Sequence, residues 1–101
     1  MKLQTLFILI IFAFLLVSCS RTTQNNEIVA RCIELCRSYP DSLENGPCLS
    51  NNIAPDWVCD VAHSPRQAVD NLPENQCSAF REGKAHHFIE VDENCELIKI
   101  Y

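Results

Sequence analysis

Leu16-Val17-Ser18-Cys19 closes an unbroken apolar run of 12 residues, Leu6 to Val17 (LFILIIFAFLLV), and is followed by the small residue Ser20. With Lys2 supplying one positive charge ahead of the run, the layout is that of a secretory signal peptide. A helix of 12 residues covers roughly 18 Å at 1.5 Å each, well short of a hydrocarbon core about 30 Å thick, so an exported leader is favoured over a retained membrane anchor. Export sets the redox compartment, and the redox compartment decides what the cysteines can do.

The same four residues resemble the lipobox of prokaryotic lipoproteins, in which the cysteine is lipidated and becomes the first residue of the mature chain. The resemblance implies acyl chains on Cys19, and two chains would anchor the protein stably where one would not. The plainer alternative is that Cys19 merely ends a leader cut by ordinary signal peptidase. Cleavage before Cys19 leaves 83 of the 101 residues. The domain plan is a signal peptide over 1–18, a lipid-anchored polar tether over 19–26 (Ser20 to Asn26 reads SRTTQNN), and a cysteine-rich domain over 27–101.

A domain of that size gains only a few kcal/mol from its core, and exported domains of this kind commonly rely on covalent staples. Seven cysteines are present, and lipidation of Cys19 turns the odd count into six: Cys32, Cys36, Cys48, Cys59, Cys77 and Cys95. Six cysteines in an oxidising compartment imply up to three disulfides, with about 15 connectivities that sequence does not decide. Without Lys2, seven Lys and Arg face 13 Asp and Glu, a net charge of about −6. No basic stripe is present for nucleic acid, so none is expected as a partner.

Along the chain, Asn26 can cap a helix running to about Tyr39, with Ile28, Cys32, Leu35, Cys36 and Tyr39 on one apolar stripe. Pro40 ends it. Cys32 and Cys36 lie one turn apart on that stripe and are placed to bridge to two different downstream cysteines. Cys48 to Pro55 reads as loop. Asp56 to Ala62 reads as a short strand, with Trp57 as the largest core anchor. Ser64-Pro65-Arg66-Gln67 reads as a capping box opening a short helix to about Val69, and Phe80 to Lys84 as a turn. Ala85–Val91 and Glu96–Tyr101 form a hairpin around Asp92-Glu93-Asn94-Cys95. The expected fold is small α+β: one main helix packed on a short antiparallel sheet with a C-terminal hairpin, stapled by disulfides.

Three chemistries compete. Cys32-x-x-x-Cys36 could present two thiolates to zinc, completed by Cys48, Cys59, His63, His86 or His87. The later cysteines are spaced 11, 18 and 18 apart, however, and disulfides account for all six without a metal. His86 and His87 would point to opposite faces of a strand, which makes a shared ion awkward. A thiol-redox centre would want C-x-x-C, which is absent, and a cysteine nucleophile with His63 or His87 as base would need a cysteine outside the staples. Finally, Arg66 in the His63–Gln76 loop could be offered to a trypsin-like protease, unless its capping box makes that loop helical.

The runs GPCLSN (Gly46 to Asn51), DWVCDVAHSPR (Asp56 to Arg66), ENQCSAFREG (Glu74 to Gly83) and HFIEVD (His87 to Asp92) resemble small cysteine-rich exported proteins predicted in archaeal genomes. That resemblance implies no activity and no functional residues. The expectation is therefore a non-enzymatic, cofactor-free, lipid-anchored domain of the cell envelope, held to the membrane by its N-terminal lipid and binding a protein or envelope component. The alternatives are a metal-binding or thiol-active protein and a small protease inhibitor.

Overall fold

A computed structural model describes residues 22–101; the leader, Cys19 and the first part of the tether lie outside the described residues. From residue 22 the chain is already helical, and helix α1 runs through 22–37. Asn26 is thus inside the helix and does not cap it, and 22–26 form an exposed polar stretch of it. Ile28, Cys32 and Cys36 are buried at four-residue spacing, with Val29 and Ile33 packed partly beside them, which is the stripe that a 3.6-residue period demands. Tyr39 N–H donates to the Cys36 carbonyl to close the last turn, and Pro40 prevents another.

Four strands make one sheet in sequence order: β1 Cys48–Ala54, β2 Trp57–Val61, β3 His87–Val91 and β4 Leu97–Ile100. β1–β2 and β3–β4 are antiparallel hairpins, while β2 and β3 run parallel in unbroken register from Trp57↔His87 to Val61↔Val91. The sheet is therefore mixed, which corrects the antiparallel expectation. Parallel neighbours need a long return connection, and residues 62–86 supply it. β1 corrects the loop expected from Cys48 to Pro55: its Ser and Asn residues are those of a half-exposed edge strand with two irregularities in register. Pro55 and Asp56 form the turn into β2, with Asp56 at φ 71° in the left-handed region that Asp tolerates better than most residues.

The sheet's two faces have different fates because side chains alternate. On the inner face, Cys59, Val61, Ile89 and Val91 join Ile28, Cys32, Cys36 and Cys95 in the main core under α1. Trp57 packs only at the margin of that core, half-buried and stacked on His87 with ring centroids 4.6 Å apart; Ile89, Val58 and Val61 are the largest sealed side chains. On the outer face, Val58 forms a second cluster with Cys77 and Ala85, flanked by Phe80 and Phe88.

Disulfides tie these layers together. Cys32–Cys59 joins α1 to β2, Cys36–Cys95 joins α1 to the β3–β4 turn, and Cys48–Cys77 joins β1 to the start of α2, Ser78–Arg81. Three disulfides point to an oxidising, extracytoplasmic environment. Among the described residues, no helix is long and apolar enough to cross a membrane.

Candidate functional site: a carboxyl-bearing cavity on the outer sheet face

The return connection from β2 to β3 covers the outer face without filling it. It makes two short 3-10 turns, Ala68–Asn71 and Pro73–Asn75, then α2. Helical turns begin only at Ala68, so the capping box expected at Ser64 is displaced to Gln67, whose N–H donates to Asp70 Oδ2 at 2.8 Å.

Asp70 organises this loop and was not singled out by its sequence context. Its carboxylate is sealed, and it accepts from the His63 backbone N–H at 3.0 Å and lies 2.9 Å from His63 Nδ1. Burial pushes the carboxyl's pKa up, but the Gln67 and His63 N–H donors and the His63 ring outweigh that and hold it below the usual carboxylate range. Gly46 makes room for it. At φ 64° its position would put a Cβ 2.5 Å from Asp70 Oδ1 and 2.9 Å from the Val61 carbonyl, so no side chain fits. The sequence signal for this arrangement is slight: an aspartate three residues after Gln67 and a glycine in a turn.

The cavity has a volume of about 330 Å³. Its floor is the outer face of the two parallel strands, Val58 and Asp60 from β2 and Phe88 and Glu90 from β3. Asp60 and Glu90 are register partners, so two carboxyls stand side by side. The connection provides the walls: Arg66, Gln76 and Cys77, with Phe80 and Arg81 from α2. Phe80 meets Phe88 edge to face at 5.0 Å, and Phe88 stacks on Tyr101 at 5.2 Å. α2 is held in place by the Cys48–Cys77 bridge and by Asn51 Oδ1, which accepts from Ala79 N–H at 2.9 Å.

The carboxyls differ sharply in what satisfies them. Glu90 accepts from Arg66 Nη1 at 3.0 Å; the same guanidinium donates through Nε to Asn71 Oδ1 and through Nη2 to the Asp70 carbonyl. Arg81 donates through Nη1 to the Pro73 carbonyl at 2.6 Å. Asp60 has no side-chain hydrogen-bond partner among the described residues, and its Oδ1 is sealed from solvent. Burial, reinforced by the Glu90 charge, pushes the Asp60 carboxyl up to about 7 against a smaller opposing pull from Arg66. A carboxyl left unpaired in a cleft, between a charged neighbour and aromatic walls, is a common mark of a functional site.

The residues expected to carry chemistry are placed as follows. All six cysteines from Cys32 to Cys95 are in disulfides, so no thiolate remains for zinc or redox exchange among them. His63 is committed to Asp70. His86 precedes β3, and it and His87 converge on Asp56, with His86 Nδ1 2.6 Å from Oδ1 and His87 Nε2 3.7 Å from Oδ2; the strand geometry that would separate them does not apply. The His86 contact holds the Asp56 carboxyl below its ordinary range. Both rings are exposed. Among the described residues, no group of three or more His, Cys, Asp and Glu side chains is arranged to hold a metal ion. Arg66 is bonded to Glu90, Asn71 and the Asp70 carbonyl while its side chain stays about half exposed.

No family model, curated protein or solved structure matches this chain.

Proposed function

We propose that this protein is a non-enzymatic binding domain of the cell envelope, exported, held to the membrane through lipid on Cys19, and taking its ligand in the outer-face cavity. The observation that carries the reading is Asp60: a carboxyl without a hydrogen-bond partner, in the floor of a cavity large enough for a small molecule or one side chain of a partner protein. Asp60 is partly exposed and lines the cavity, so a ligand there meets a carboxyl with no competing side-chain donor. The frame suits such a role. Three disulfides fix α1, β1, the β3–β4 turn and α2 against one sheet, so the cavity is preformed and little ordering cost falls on binding. The apolar leader ending at Cys19 supports the anchored location.

The test is amide chemical-shift mapping of the exported, oxidised chain against a library of small organic fragments. The reading predicts shifts clustered at Val58, Gln76, Phe80, Phe88 and Glu90. Shifts only at unrelated surfaces, or none, would refute the cavity as the binding site.

A further inference from the structure

Resting on the reading of this cavity as a ligand site, we propose that its ligand is an organic cation: an ammonium or guanidinium group, presented on an apolar or aromatic body, that seats against Asp60. The inference comes from how the protein's own cations are spent on this face. The Arg66 guanidinium satisfies Glu90, the Arg81 guanidinium satisfies the Pro73 carbonyl at the rim, and the Lys99 ammonium lies 5.8 Å from the Phe88 ring centre and 5.7 Å from that of Tyr101. Of the two acidic side chains that line the cavity, Glu90 is paired with an arginine and Asp60 is not. Beside Arg66 and Arg81, which are bonded to Glu90 and the Pro73 carbonyl, the cavity carries groups that recognise cations. Asp60 and Glu90 are adjacent carboxyls, and Phe80 and Phe88 are aromatic walls of the same cavity. Phe88 already accepts one ammonium on its ring, as the Lys99 contact demonstrates.

The chemistry also fixes how the ligand and a proton compete. Asp60 titrates near 7 in the free protein, facing Glu90 from β3, Arg66 and Asp70 from the return connection and Arg81 from α2. A cation binds the ionised carboxylate, so its arrival expels the proton and its affinity falls as that proton becomes harder to remove. An anionic ligand would bind in the opposite sense, gaining as Asp60 is neutralised.

Three molecules of one shape and different charge make the test: phenethylammonium, phenethyl alcohol and phenylacetate, titrated into the exported, oxidised chain with amide shifts as the readout. The expected result is saturable binding of phenethylammonium at the cavity residues, with the alcohol and the acid weaker by roughly tenfold to a hundredfold, the scale of one charge-assisted hydrogen bond. Asp60→Asn should remove that preference. In the unaltered chain phenethylammonium should bind about tenfold more weakly at pH 6 than at pH 8, a dependence that Asp60→Asn abolishes and that can be read even if the variant folds poorly. Equal binding of all three, or best binding of phenylacetate, with shifts still at the cavity, overturns the cation while leaving a binding cavity in place. No shifts at the cavity with any of the three overturns the cation, and the cavity reading falls only if the fragment library also leaves these residues unshifted.

Discussion

Asp60, at the end of β2, and Asp70, within the return connection that follows it, have opposite environments. Asp70 collects N–H donors from Gln67 and His63 and is depressed; Asp60 receives only a minor contribution from its own backbone N–H and is raised to about 7. The consequences for stability have opposite signs. A raised carboxyl binds its proton more tightly folded than unfolded, so the Asp60 contribution weakens stability as pH rises from about 4 to about 7 and is fully adverse above that. Asp60→Asn should therefore stabilise the domain at pH 8, by up to about 4 kcal/mol, and leave it nearly unchanged at pH 4. Urea unfolding at the two pH values checks this; an equal or unfavourable change at pH 8 would show that Asp60 is well satisfied. Asp70 acts oppositely, its contribution present above the ordinary carboxylate pKa and lost as pH falls through its lowered value. Neither role can be read from sequence, because each depends on which backbone N–H groups a long connection brings to the carboxyl.

The elements that local periodicity governs were legible: α1 from the Ile28, Cys32, Cys36 stripe, and the β3–β4 hairpin from the β-branched residues on either side of Asp92-Glu93-Asn94. The elements set by distant partners were not. β1 reads as loop because an edge strand needs few apolar residues, and the parallel pairing of β2 with β3 leaves no local mark. The cavity followed the same rule, since its floor exists only once β2 and β3 are neighbours. Connectivity of the staples was equally hidden, although the number of cysteines available was plain. Cys36–Cys95 closes the longest segment, a separation of 59 against 27 and 29 for the others. On the loop-entropy account its removal by Cys36→Ser with Cys95→Ser should cost about 4 kcal/mol and lower the melting temperature by roughly 15–30 °C. Removal of Cys48–Cys77 should cost slightly less stability yet disturb the cavity more, because it frees α2 with Phe80 and Arg81. Circular dichroism melts of the two double variants decide the order, and a larger loss for Cys48–Cys77 would mean that packing and not loop length dominates.

At the scale of the whole molecule, three disulfides point to an oxidising, extracytoplasmic environment and tie the described domain together. Rigidity matters because the cavity is assembled from the sheet, the return connection and α2 at once, and only covalent ties hold so small a core to one arrangement. The proposed lipid anchor on Cys19 makes its own prediction. Cys19→Ala should abolish incorporation of labelled fatty acid and release the chain from the membrane fraction, with the three disulfides intact by mass; unchanged labelling would place the lipid elsewhere or nowhere. A side-chain carboxyl NMR titration of the oxidised chain, with the Asp60 resonance assigned, tests whether the carboxyl in the outer-face cavity engages a ligand. The expected result is a midpoint near 7 that moves down when phenethylammonium is added to saturation. A midpoint near 4 with no response to the amine would mean that water already satisfies Asp60, and that the cavity is a surface hollow without a site in it.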